Sequence, residues 1–69
     1  MTFTVIAEIW LDGDISYLTT DMTGRYIPTQ EDMEARDDIV EVLNKQYEQY
    51  EILDLVGVVY KGEELWQDI

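Results

Sequence analysis

Apolar residues occupy every odd position from Phe3 to Leu11 (Phe3, Val5, Ala7, Ile9, Leu11), and Thr2, Thr4, Ile6, Glu8 and Trp10 lie between them. A period of two marks a strand with one buried face, so the pattern predicts a strand over Thr2 to Leu11. Asp12-Gly13 follows, the dipeptide best suited to the positive φ angles of a two-residue type I′ hairpin turn. With that turn, Ile9 lies opposite Ser16, Ala7 opposite Leu18, Val5 opposite Thr20 and Phe3 opposite Met22. Leu18 and Met22 join the buried face. Ile6, Trp10, Ile15 and Tyr17 fall on the other face, which is more apolar than a solvated sheet surface requires.

Thr23-Gly24 ends the second strand, and Arg25 to Pro28 form a connection. Thr29 is a good N-cap, with Asp32 as a short capping-box partner, and Glu31 and Asp32 complement the helix dipole. The expected helix runs from about Gln30 to Gln49. At about 100° per residue, Ile39, Val40, Leu43, Tyr47 and Tyr50 share one stripe, with Met33 at its edge. Glu34, Asp37, Asp38, Glu41, Lys45 and Glu48 lie opposite. Arg36 projects onto the apolar stripe one turn after Asp32, so an ion pair between them is expected.

Ile52 to Tyr60 is apolar and β-branched apart from Asp54 and Gly57, which predicts a strand buried on much of both faces. Gly57 marks a bulge or a close approach of the helix. Lys61-Gly62-Glu63 reads as a turn, and Glu64 to Gln67 as a short last strand carrying Leu65 and Trp66. The expected fold is α+β: one two-layer domain over residues 1–69, ββαββ, with one helix on one face of an antiparallel-rich sheet.

Charge changes this picture. The chain holds 16 Asp and Glu against 4 Lys and Arg with no His, a net charge of −12. Disordered acidic segments are poor in aromatic and β-branched residues. Here 46% of residues are hydrophobic, and two Trp, five Tyr and one Phe mark a chain that folds. Self-repulsion lowers the stability of so small a domain, most of all at low salt. The uncompensated charge is therefore either functional or a device for solubility or for life at high salt.

Cysteine is absent, which excludes disulfides and thiolate chemistry. No apolar run is long enough for a membrane-spanning helix, and the start of the chain has no signal-peptide pattern, so a cytoplasmic protein is expected. Direct binding to nucleic acid or anionic lipid is not expected, because both require a basic patch. Without His or Cys the usual general bases and nucleophiles are missing, so no catalysis and no cofactor are expected. Asp12-Gly13-Asp14 puts two carboxylates on one turn but lacks the spacing of an EF-hand, and no metal site is expected.

Two surfaces remain as candidates. The first is acidic. Glu31, Glu34, Asp37, Asp38 and Glu41 span about 15 Å of helix axis, one charge per roughly 3–4 Å. That density is close to the ~3.4 Å axial spacing of phosphates along one strand of duplex DNA. Glu48, Asp12 and Asp14 extend the acidic candidate set, and Asp21, Glu51, Asp54, Glu63, Glu64 and Asp68 add charge elsewhere. A solvated helix face is the common explanation for such a run. The second surface is aromatic: Trp10, Tyr17 and Trp66 form an expected interface on the sheet, since aromatic side chains dominate interface energetics.

In size, charge and compactness the chain resembles the small acidic inhibitors by which bacteriophages block host defences, the anti-CRISPR and anti-restriction proteins, some of which imitate duplex DNA. The resemblance covers the whole chain and rests on no aligned motif. It implies a non-catalytic inhibitor that occupies the basic DNA-binding groove of a host nuclease or CRISPR surveillance complex, in the host cytoplasm. The alternative is a small assembly module that dimerises or docks a partner through the aromatic sheet face. The partner is then a basic nucleic-acid-binding protein in the first case, and the protein is a monomer or a homodimer.

Overall fold

The computed structural model describes residues 1–69. Four strands and one helix follow in the order β1 (Thr2–Leu11), β2 (Asp14–Thr23), α1 (Met33–Gln46), β3 (Glu51–Tyr60) and β4 (Glu63–Gln67). The strands form one antiparallel sheet in the order β2-β1-β3-β4. This is the expected two-layer ββαββ domain.

The first hairpin has the predicted register at all four positions, from Ile9 opposite Ser16 to Phe3 opposite Met22. Asp12 and Gly13 both take positive φ, 51° and 82°, as a two-residue turn between right-twisted strands requires. Lys61 (52°) and Gly62 (77°) repeat the device between β3 and β4, which moves the start of the last strand from Glu64 to Glu63. The odd residues Phe3, Val5, Ala7 and Ile9 are buried with Leu43, Ile52, Leu55 and Val58 in one core, and Leu18, Met22, Ile39, Val40, Tyr47 and Tyr50 pack around it.

β3 departs from simple alternation. Its pairing with β1 skips Leu53 and Val56, so the residues opposite inward-facing β1 positions are Ile52, Leu55 and Val58. Two bulges thus turn a period of two into a period of three. Leu55 to Val58 are consecutively buried, in keeping with the apolar run, whereas Leu53 is exposed. The close approach at Gly57 is not made by the helix. A Cβ there would meet Ile6 Cδ1 at 3.1 Å, so glycine makes room for an outer-face isoleucine of the neighbouring strand.

The helix is shorter than its sequence pattern. Asp32, not Thr29, is the N-cap: its carboxylate accepts the Ala35 N–H at 3.0 Å and its carbonyl accepts the Arg36 N–H at 3.1 Å. Thr29 to Asp32 form a turn, closed by Asp32 N–H donating to the Thr29 carbonyl. At the other end Tyr47 leaves helical geometry (φ −117°, ψ 73°), and its hydroxyl shares a hydrogen bond with that of Thr20 at 2.9 Å. Glu31 and Glu48 therefore flank the helix instead of belonging to it.

Candidate functional site

Every acidic residue of the predicted surface is exposed: Glu31, Glu34, Asp37, Asp38, Glu41 and Glu48 around α1, and Asp12 and Asp14 at the first hairpin turn. Glu34, Asp37, Asp38 and Glu41 are the four that α1 itself carries, and at about 100° per residue they fall within a stripe about 100° wide over about 10 Å of axis. The buried Arg36 and Leu43 lie on the opposite side. Within the acidic stripe Glu34, in the first turn, complements the helix dipole, but the carboxylates repel one another. Like charges three and four residues apart oppose helix formation by about 0.2–0.5 kcal/mol per pair, and Lys45, 3.4 Å from Glu41, is the one cation that meets the stripe in an ion pair. Asp14 Oδ1 accepts the Ile15 N–H at 2.8 Å, the local bond of a strand start, and no group of three metal-ligating side chains forms.

The aromatic surface splits. Trp10 and Tyr17 lie on the sheet face away from α1, 45% and 46% exposed, beside exposed Ile15. Trp66 is not with them. β4 skips Leu65 in its pairing with β3, which places Trp66 opposite the inward-facing Val58. There it is half-buried, its Nε1–H donates to the Pro28 carbonyl at 2.9 Å, and the Arg36 guanidinium stacks 4.8 Å from its ring centroid.

Arg36 is the polar centre that sequence reasoning placed with the wrong partner. The expected pair with Asp32 does not form, because the Asp32 carboxylate caps the helix. Arg36 is 3% exposed and turns toward the sheet. It donates to the Leu55 carbonyl (2.9 Å), the Gln30 carbonyl (2.7 Å) and Asp68 Oδ2 (3.0 Å), and its Nη2 lies 3.6 Å from Asp54 Oδ2. The cause is the length of β4, which pairs only with Gly57 to Tyr60. Beyond it the edge of β3 is open, and helix side chains take the place of a strand. Asn44 completes this: its amide donates to the Ile52 carbonyl at 3.1 Å and accepts the Ile52 N–H at 3.0 Å. A cation at helical spacing among apolar residues signalled burial, but nothing local signalled Asp68.

Hydrogen bonds from Gln30 and then from Arg36 hold the Asp68 carboxyl below its ordinary range. A carboxylate with a depressed folded-state pKa adds stability above its unfolded pKa, and that stability is lost as pH falls through the folded one. The expected result is that Asp68→Asn destabilises the protein at pH 7 and that the gap to the unmodified protein closes below about pH 4, where ordinary aspartates titrate. Urea titrations of both proteins at several pH values measure it, and a gap unchanged down to pH 2 would remove Asp68 from the network.

No helix is long and apolar enough to cross a membrane. No protein-family model, curated protein or solved structure matches the chain.

Proposed function

We propose that this protein is a non-catalytic inhibitor that presents nucleic-acid-like charge to the basic DNA-binding groove of a nuclease or CRISPR surveillance complex. The observation that carries the reading is the stripe of Glu34, Asp37, Asp38 and Glu41, exposed, held on one helix and left almost without counter-charge although its like charges repel one another. A groove lined with Lys and Arg attracts such a surface over long range, and electrostatic steering speeds the encounter. Carboxylates already fixed on a folded element lose little entropy on docking. Of the four basic residues, Arg36 is buried and Lys45 is paired, so little positive charge opposes the approach.

The testing experiment is capture from a bacterial lysate in salt steps. A nucleic-acid-binding protein retained at low salt, released as salt rises and displaced by duplex DNA is the expected result. A captured partner that binds DNA and this protein at once would refute competition for the groove. The assembly-module reading keeps Trp10 and Tyr17 as its exposed surface but loses Trp66 to the helix side.

A further inference from the structure

The two edges of the sheet are treated differently. On the β3 side, Asn44 pairs with Ile52, Arg36 takes the Leu55 carbonyl and the Asp68 N–H donates to the Val56 carbonyl at 2.7 Å. The remaining length is covered by a five-residue strand with a bulge. These are the devices by which proteins prevent unwanted strand pairing. On β2 a side chain covers the Ile15 N–H alone, which Asp14 Oδ1 accepts at 2.8 Å. The strand is ten residues long, pairs with β1 without a register shift, and contains no Pro, Lys or Arg.

The direction of its free groups follows from the hairpin. In a two-residue turn the closing pair, Leu11 and Asp14, is hydrogen-bonded, and pairs alternate from there. At the far end Met1 and Gly24 exchange both backbone bonds, at 2.8 and 3.0 Å, which fixes the same parity. The even residues of β2 thus bond β1. Tyr17, Thr19, Asp21 and Thr23 aim their N–H and C=O groups away from the sheet, and their side chains stand on the face that α1 does not cover.

We propose that the β2 edge is a docking site for an extended segment of a partner protein carrying Lys or Arg, which joins the sheet as a fifth strand. Backbone groups supply the affinity in strand addition, and alternate side chains supply the selection. Asp21 is exposed, and Thr4 Oγ1 donates to its Oδ1 at 2.6 Å, so its carboxylate is held in place on the outer face. A basic side chain opposite Asp21 and an apolar one beside Tyr17 and Ile15 complete the cross-strand pairs. Charge disfavours a second copy as the occupant: each chain carries −12, and β2 offers no base to meet the Asp14 and Asp21 of its twin. The site is independent of charge mimicry, since it uses backbone groups on a surface apart from the acidic helix stripe.

The test is an amide-resolved NMR titration of the isotope-labelled full chain with a short capped threonine-rich peptide in which a lysine and a valine stand four residues apart, so that one face of the added strand carries the lysine opposite Asp21 and the valine beside Tyr17. Two control peptides carry N-methylated alternate amides or glutamate in place of lysine. The expected result is shifted signals and slowed hydrogen exchange at Tyr17, Thr19 and Asp21, with binding abolished in both controls. Thr19→Pro removes one outward N–H and leaves the bonds to β1 intact, as proline does on an edge strand. It should weaken binding about tenfold, the worth of one backbone hydrogen bond in that setting. Should Thr19→Pro not fold, Thr19→Lys, which opposes a basic peptide and keeps the backbone, is expected to weaken binding likewise. Equal binding of the N-methylated or the glutamate peptide, shifts confined to the α1 stripe, or a free protein already dimeric with those amides protected would each overturn the proposal.

Discussion

Arg36→Ala is expected to lower stability by about 3 kcal/mol, within the range of about 1–3 kcal/mol for a buried carbonyl left unsatisfied together with the cost of the space the side chain leaves. Domains below about 80 residues rarely hold more than about 3–5 kcal/mol, so the variant should keep at most about 2 kcal/mol and unfold at a much lower urea concentration. The loss does not come mainly from the two carboxylates. The Asp54 and Asp68 side chains are 42% and 43% exposed and rehydrate when the cation leaves. It comes from the Leu55 carbonyl, left without a donor at a buried strand edge, and from the emptied space under Trp66. Arg36 itself is not ideally satisfied, for its Nε–H is buried without a partner, which keeps the expected figure from being larger. Arg36→Lys retains the charge but cannot reach two carbonyls and a carboxylate together, and should fall between the two. Urea denaturation followed by Trp fluorescence reads all three proteins. A folded Arg36→Ala with an unchanged midpoint would mean that the edge of β3 does not need the helix to close it.

The second large effect belongs to binding. Replacing Glu34, Asp38 and Glu41 together by Lys should weaken partner binding by about 3 kcal/mol or more, as expected for like charges facing each other across an interface, which is roughly two decades in Kd. The fold should persist. All three side chains are exposed on the side of α1 opposite Leu43, and Asp37 gains neighbours of opposite sign at three and four residues. Single changes to Ala should matter less, because rim charges act chiefly on association rate and salt dependence. Full affinity in a folded triple variant would take the contact away from α1 and transfer interest to Asp12, Asp14, Asp21, Glu63 and Glu64.

What the sequence disclosed and what it concealed divide along the range of the interactions. The first hairpin was legible to the residue because its register depends on Asp12-Gly13 and on strict alternation, both local. The helix was legible in its faces but not in its ends. Thr29 and Asp32 are both good caps, and the choice between them depends on where the chain must enter to bring Arg36 over the sheet. β3 read as a continuous apolar run, yet its bulges at Leu53 and Val56 depend on the partner strand. Trp66 was misplaced for the same reason, since one skipped residue at Leu65 exchanges the faces of the sheet. The acidic positions were the easiest to read. Exposed carboxylates need no partner within the chain, so sequence spacing alone places them on the surface.

The strand order also determines how the molecule is assembled in time. β1 is central, yet its two neighbours are reached on different scales. β2 follows after a two-residue turn, whereas β3 comes only after the whole helix. Each hairpin is local and closes within about 1–10 μs, the time known for isolated hairpins. The seam between β1 and β3 closes the largest loop in the chain, whereas Asn44 and Arg36 reach Ile52 and Leu55 across only 8 and 19 residues. The largest loop-closure cost of folding therefore falls at that seam. Until it closes, the inner edge of β1 is as open as the outer edge of β2, and the half-made sheet has two sides on which a foreign strand can settle.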